Sequence, residues 1–490
     1  MRIKPIIYGL CASLFFVSCT KETIDEQYVK LEQVACSFYS TGNQPLEIKV
    51  KANPSVWEAE SNAAWLEVDK SEDGSMLILT VADNDSENER TTEVTVTAGE
   101  AMQKIRIIQL AFNGSINRYR PMPTHQLGSA ISPSGRYAGG FESNLGEGED
   151  ADSYIYTPVI IDIQTGEEYR LGEIPQSLAD FTQTMVITDE GLLFIEDAIG
   201  GAQWVFDKDG NYFSTATLSM PEGYSGAPHI QGTSADGRKW VGYAIKDDGM
   251  YHPLLWTDGQ VHELQFPDEN FRGEAFSNGI MARGISADGS VIYGTTWDAY
   301  DFGMVYWTDV NEKARYVGED VREVQKVTIE RPDGVQVEGH IVNGVICTAN
   351  LLQVSPEGKW VAGSYRTETL AENNYDVTQS QYAAFYDTET GKTTVIEDYG
   401  ESTGLRATDD GIAFIGAGSI LLTSGYVYDL NTGSDLGSMT DWIYNNYGIH
   451  TPSGVINFIN ADGSVLFGTY PLTSGAGTQF QNYYIAPPLE

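Results

Sequence analysis

The chain is poor in positive charge: 29 Lys and Arg stand against 69 Asp and Glu, for a formal net charge of −40 at pH 7. That deficit excludes nucleic acid as a partner, because neutralising phosphates takes clustered cations. It equally excludes direct adhesion to an anionic membrane surface, and leaves the charge as a means of staying soluble. Cysteine is scarce. Of four residues, Cys11 and Cys19 lie near the N-terminus, while Cys36 and Cys347 are far apart in sequence, which supports no disulfide framework and suits small buried apolar residues. The six histidines (His125, His229, His252, His262, His340 and His450) are dispersed, none with a partner at metal-ligand spacing, so they read as ordinary surface or loop residues and no metal or cofactor is expected. No His-Glu-x-x-His, Gly-x-Ser-x-Gly, phosphate-cradling glycine loop or Cys-x-x-Cys occurs. With 69 carboxylates any acid–base pair named from sequence is arbitrary, and the balance leans against an enzyme.

Arg2 and Lys4 precede an apolar stretch from Ile6 to Val17, the layout of a secretion signal. It falls short of the roughly 20 apolar residues that span a bilayer. Its close, Phe16-Val17-Ser18-Cys19, resembles the lipobox of bacterial lipoproteins, although Phe16 stands where Leu is commonest. The resemblance implies removal of residues 1–18 and acylation of Cys19, so that the membrane is reached through lipid alone. The acidic stretch Thr20 to Glu26, within a tether over 19–33, resembles the surface-export signal of Bacteroidota lipoproteins. What this implies is a lipid-anchored protein of the outer membrane facing the cell exterior.

Between 34 and 111 short alternating runs such as Leu46-Glu47-Ile48-Lys49-Val50 and Met76 to Val81 are separated by turn-formers, for example Glu72-Asp73-Gly74-Ser75. Evenly spaced strands in so short a segment predict a small β-sandwich. Ser61-Asn62-Ala63-Ala64-Trp65-Leu66, Asn84, Asn88 to Thr92 and Ile107-Ile108-Gln109 resemble a BACON domain, an immunoglobulin-like module of carbohydrate-associated Bacteroidota proteins. The resemblance implies a surface setting linked to glycan use. Trp57 and Trp65 are assigned to the core of the sandwich.

From 112 to 490 an internal repeat dominates. Its seed is a polar turn closed by Gly, four strand residues and a second Gly. The copies are Ser132 to Gly140, Ser234 to Gly242, Ser286 to Gly294, Ser355 to Gly363, Thr408 to Gly416 and Asn460 to Gly468, with a seventh from Thr188 in which Glu196 replaces the second Gly. Ser, Asp or Asn shapes the bend and Gly supplies positive φ. Three residues beyond the first Gly stand Ala138, Phe194, Trp240, Ile292, Val361, Phe414 and Leu466, all apolar, which predicts a buried face. A second strand places Ile161, Phe206, Trp256, Trp307, Tyr386 and Tyr428 at one equivalent site, assigned to packing between neighbouring sheets.

Seven repeats of about four strands predict a β-propeller of seven blades. The last copy lacks a strand, which the stretch from Ile116 to Leu127 would supply. The fold class read from sequence is therefore all-β, a small immunoglobulin-like sandwich followed by a propeller.

Outside the repeated core positions, aromatics interleave with Asp and Asn in two places: Trp297, Tyr300 and Phe302 with Asp298 and Asp301, and Trp442, Tyr444 and Tyr447 with Asp441, Asn445 and Asn446. Rings that stack on the CH face of a sugar, beside groups that bond its hydroxyls, make these the candidate ligand residues. Their irregular settings predict that Trp297 and Trp442 are exposed, in contrast to Trp256 and Trp307. The acidic run Glu147 to Asp152 lacks the spacing of a calcium loop and reads as solvated. Three functions follow: a non-catalytic surface protein whose propeller binds glycan or glycoprotein, with the sandwich as spacer; a polysaccharide hydrolase or lyase with its site in the propeller pocket; and a scaffold for other envelope proteins.

Overall fold

The computed structural model describes residues 27–487 except 32–34, 39–42, 44, 87, 89, 110–117, 122–129, 146–153, 173–181, 198–202, 216–217, 299–300, 348–352, 372–375, 419–423, 450, 452 and 475–476. Cys19, the tether before residue 27, the acidic run at 147–152 and Tyr300 thus lie outside the described residues. Among the described residues the fold is all-β apart from short helical turns and one nine-residue helix, α1 (Met439–Tyr447).

Two four-stranded sheets make the sandwich. One has the order Tyr28–Leu31, Leu46–Asn53, Met76–Val81, Leu66–Lys70, and the other Ala35–Phe38, Ala101–Gln109, Arg90–Ala98, Glu58–Glu60. Alternation makes one face of each strand apolar, so Ile48, Leu77, Leu79, Val94, Val96, Ile105 and Ile107 are buried. Trp57 is buried too, its indole N–H donating to the Gly74 carbonyl at 2.8 Å. Neither Cys36, which is buried, nor Cys347, which is half-buried and donates its thiol to the Gln353 amide oxygen, is in a disulfide among the described residues.

Seven further antiparallel sheets follow among the described residues. Their first strands are Ala130–Ile131, Thr182–Ile187, Tyr224–Thr233, Ile280–Ile285, Glu323–Glu330, Ser402–Ala407 and Val455–Ile459. Each has four strands in sequence order except the fifth, which has five, and the seventh, which takes three from its own stretch. The missing strand of the seventh is Tyr119–Pro121, which pairs with Gly477–Ile485 through Ile485↔Tyr119 and Tyr483↔Pro121. Apolar clusters join each sheet to the next, and Phe458, Val465, Phe467 and Tyr484 of the seventh pack with Ile131, Ala138 and Ile161 of the first. A closed ring of meander sheets is a β-propeller. The first strands of the first four sheets touch in succession, as do those of the sixth and seventh, which places them around the axis.

Every seed turn has the same chemistry. The Gly N–H returns to the carbonyl of Ser132, Thr188, Ser234, Ser286, Ser355, Thr408 or Asn460 at 2.8–3.1 Å, and each of these glycines has positive φ. The side-chain oxygen of that first residue accepts an N–H from the departing strand, which is why only Ser, Thr or Asn stands there.

Turn length corrects the register expected for two repeats. The backbone N–H of Ser132, Ser234, Ser286, Ser355 and Asn460 bonds the carbonyl five residues on, whereas that of Thr188 and Thr408 bonds the carbonyl four residues on. Those two strands begin one residue sooner, so Leu193 and Ala413, not Phe194 and Phe414, are equivalent to Ala138. A slip of one residue exchanges the faces of a strand. Accordingly Phe206 pairs with Leu193 and Tyr428 with Ala413, and both packed clusters point toward the preceding sheet, as Trp256 and Trp307 do. Trp256 and Trp307 are buried as expected. Trp240 and Tyr428 are only half-buried, against the expectation for their positions.

Candidate functional site

The structure brings the sequence-derived aromatics together in two separate groups. Trp297 and Phe302 meet edge to face with centroids 5.2 Å apart, in the connection between Ile292–Thr296 and Met304–Trp307. Trp442, Tyr444 and Tyr447 lie on α1, which corrects the irregular segment expected there. Ser438 caps this helix, accepting from the Asp441 N–H at 3.1 Å while its hydroxyl donates to the Asp441 carboxylate, and Gly448 ends it in a left-handed conformation.

Trp297 and Trp442 are half-buried rather than exposed. Trp442 stands edge to face with Phe414 at 5.2 Å and packs on the core shared by the sixth and seventh sheets. Phe302 packs on the core around Phe271 and adopts φ of 53°. Trp442 shares that core with Met439 and Ile443 of the same helix, both buried, so the helix lays its apolar side on the sheets and Trp442 goes with it.

The neighbouring carboxylates are also committed internally. Asp298 accepts from the backbone N–H groups of Ser277 and Asn278 and from the Ser277 hydroxyl. Asp301, 3% exposed, is held by Arg272 and by Arg366 at 3.0 Å, and the same two guanidinium groups bond Glu368. Two cations and two carboxylates balance, and the Val342 N–H adds a bond to Glu368 at 2.9 Å. This quartet fastens the fourth sheet to the fifth.

A different constellation gathers at the axis, from three consecutive sheets. Four first strands carry a one-residue β-bulge three residues before the seed turn, at Gln231, Arg283, Leu405 and Asn457. Bulges re-aim side chains. Gln231 of the third sheet donates to the buried Glu196 carboxylate of the second at 2.6 Å and accepts from Arg283 of the fourth at 3.3 Å. Glu196 also accepts from the Tyr243 hydroxyl at 3.3 Å and lies 3.2 Å from His229 Nδ1. The His229 and Tyr243 rings stack, with centroids 4.8 Å apart and planes 15° off parallel. Burial, reinforced by the Glu196 charge, raises the Tyr243 phenol far above its ordinary range, so it serves as a donor.

Close backbone approach makes room for this arrangement. A Cβ on Gly242 would lie 1.7 Å from the His229 carbonyl oxygen, and one on Gly232 would meet Gly284 at 3.0 Å. Glu196 and Tyr243 are buried, while His229 and Arg283 are half-buried and form the accessible part of the cluster. His229 Nδ1 stands near the Glu196 carboxylate without a hydrogen bond between them. The set can hold a polar molecule through a carboxylate, a phenol, an amide, an imidazole and a guanidinium.

Sequence reasoning missed these residues, taking His229 for an ordinary histidine. The one departure visible in the repeat, Glu196 at the second Gly, belongs to the uncorrected register: in the structure Ile195 is the residue equivalent to Gly140. Other histidines are likewise drawn inward. His252 lies between Asp248 at 3.0 Å and Glu263 at 2.9 Å, and His340 lies 2.9 Å from Glu274. Among the described residues no group of three His, Cys, Asp or Glu is arranged to hold a metal ion.

Residues 29–111 match the family described as the Viral BACON domain. No curated protein matches the chain. Among solved structures, TolB from Acinetobacter baumannii is similar at 10% identity and a TM-score of 0.32, covering 88% of this chain and 81% of that one. The β-propeller domain of the Trilobed protease from Pyrococcus furiosus aligns at 11% identity and a TM-score of 0.32 over 84% and 95% of the two chains. U3-55K aligns at 10% identity and a TM-score of 0.38 over 75% and 98%. At these scores the propeller reading rests on the sheets and their packing described above, and nothing about activity follows.

Proposed function

We propose that the seven sheets act as the seven blades of a non-catalytic recognition head that binds glycan or glycoprotein at its axis. In this reading the BACON module is a spacer, and the protein is a Bacteroidota lipoprotein anchored through Cys19 in the outer membrane, facing outward. The observation that carries the binding site is the axial cluster of Glu196, His229, Gln231, Tyr243 and Arg283, drawn from three sheets onto one spot by β-bulges. Planar amide, carboxylate and guanidinium groups suit the paired hydroxyls of a sugar, and a fixed set of convergent polar groups is what orients a ligand in a pocket. Trp297, Phe302, Trp442, Tyr444 and Tyr447 enter as secondary contacts through their solvent-facing edges. A glycan-array screen of the chain from residue 20, repeated with Glu196→Gln and Arg283→Ala, tests the reading. Weakened binding in both variants supports it, and an unaltered glycan profile in both rejects the axial site. Replacing Cys19 with Ala should move the protein out of the membrane fraction and abolish acyl labelling.

The Glu196–His229 contact at 3.2 Å favours a second reading, a polysaccharide hydrolase or lyase. The two groups are not hydrogen-bonded, but a small rotation of the ring would let the carboxylate orient the imidazole for acid–base work. Release of reducing ends or unsaturated products from a polysaccharide panel, lost in Glu196→Gln, would establish it.

A further inference from the structure

At the repeat position that faces the preceding sheet, six sheets carry a buried aliphatic side chain: Ala138, Leu193, Ile292, Val361, Ala413 and Leu466. The third sheet carries Trp240 instead, and it is half-buried. Its cross-strand partner is Trp256, also an indole. A departure from a repeat that sacrifices core packing marks a place where something other than packing is served.

The departure opens a groove of about 320 Å³ bounded by Leu218, Trp240, Trp256 and the two turns that carry Arg238 and Asp258. The volume lies at the small end of ligand pockets, which run from about 300 to 1,000 Å³. Both indoles are fixed before any ligand arrives: Trp240 Nε1 donates to the Gly237 carbonyl at 3.0 Å, and Trp256 Nε1 to that of Ser219 at 2.9 Å. Phe194 buttresses Trp240 edge to face at 5.3 Å. With their N–H groups committed, the rings offer only their faces and edges. The rim supplies the polar contacts. Arg238 Nε and Asp258 Oδ1 lie 3.9 Å apart with side chains 72% and 75% exposed, so their pairing is weak and easily exchanged for a ligand.

We infer that this groove is a second saccharide site, which takes one neutral pyranose unit of a glycan; the inference rests on the glycan-binding reading above. An immobilised aromatic surface stacks on the CH face of the ring, while a donor and an acceptor about 4 Å apart bridge adjacent hydroxyls. The unit is neutral because a chain of net charge −40 repels anionic sugars.

The test is titration of intrinsic tryptophan fluorescence in the chain from residue 20 with neutral hexasaccharides of β-glucan, mannan and xylan. Two variants accompany the wild type: Trp240→Leu, which installs the residue type of the other sheets, and the double surface change Arg238→Ala with Asp258→Ala. Circular dichroism melting checks that both fold. Saturable binding of at least one hexasaccharide, weakened tenfold or more in both variants, is expected. Binding that survives in both variants overturns the groove while leaving the glycan-binding reading intact. Absence of binding by the wild type to every probe overturns the groove and counts against the glycan-binding reading as well.

Discussion

The side-chain amide of Asn460, in the last seed turn, donates to the backbone carbonyl of Ser134, in the first, at 3.1 Å. Similar links run between other neighbouring turns: Ser134 to the Asp189 carboxylate, Ala235 to Ala287, Asp288 to Pro356, and Glu357 to Asp409. The turns thereby brace one end of the ring, and Asn460 is the brace where its ends meet.

Asn460 performs two tasks that substitution can separate. Its Oδ1 accepts from the Val465 N–H at 2.9 Å within its own turn, while Nδ2 reaches Ser134. Asn460→Asp keeps the acceptor and loses the donor, whereas Asn460→Ala loses both. Losses of about 1 and 2 kcal/mol are expected, since a hydrogen bond contributes roughly 0.5–1.5 kcal/mol and an orphaned buried group costs more. Urea denaturation giving equal stabilities for the two variants would refute the division of labour.

Removing Asp301 strands two guanidinium groups, Arg366 at 7% and Arg272 at 23% side-chain exposure. Breaking one partner out of a buried ion cluster costs about 3–5 kcal/mol. Asp301→Ala should therefore unfold the ring at markedly lower denaturant concentration. A midpoint within error of wild type would show that Glu368 alone suffices to neutralise both arginines.

Burial pushes the Cys36 thiol up to about 12 from an ordinary 9.0. The folded state holds its proton more tightly, so the stabilisation is complete below pH 9 and is lost as pH rises toward 12, where the unfolded thiol ionises first. Each pH unit in that window costs up to about 1.4 kcal/mol. Cys36→Val should flatten the decline relative to wild type between pH 9 and 12, and parallel curves would disprove the linkage. At pH 8 a thiol reagent should leave native Cys36 unmodified, because the thiolate is the reactive form.

Trp307, 2% exposed, fills the space between the third and fourth sheets and donates from Nε1 to the Gln265 carbonyl at 2.8 Å. Alanine there should cost about 3–5 kcal/mol. Trp442 is half-buried against Phe414, so Trp442→Ala should cost less, about 1–3 kcal/mol, yet more than a free surface ring would. Calorimetric melting that ranks Trp442→Ala with wild type would restore Trp442 as a freely exposed platform.

Much of the ring was legible from the turns, because a polar residue, a positive-φ glycine and an apolar strand position leave marks at fixed spacing. The need for a strand from the region of Tyr119 was legible for the same reason: a repeat short of one strand declares the deficit. Register in the repeats headed by Thr188 and Thr408 was not, since a turn one residue shorter changes which residue faces inward without changing the motif that announces it. Phe194 and Phe414 looked as apolar as Leu193 and Ala413. The axial cluster was hidden for another reason. Gln231 and Arg283 sit at bulges, invisible in composition, that aim Gln231 at Glu196 and bring Arg283 to Gln231. The loop aromatics were visible as residues, but the burial of Trp442 depends on a helix, α1, that seats it on the core beside Met439 and Ile443.

The pairing of Tyr119–Pro121 with Gly477–Ile485 also dictates an order of events during synthesis. A ribosome has to make more than 350 residues after Tyr119 before that strand finds its neighbour. Until then Tyr119–Pro121 has no strand to pair with and the ring stays unclosed, and unpaired edges recruit other chains. Nascent molecules of this protein should accordingly depend on escort by holding chaperones until the strand ending at Ile485 emerges, and a premature stop within the ring before Gly477 should yield an aggregating product rather than a smaller folded ring.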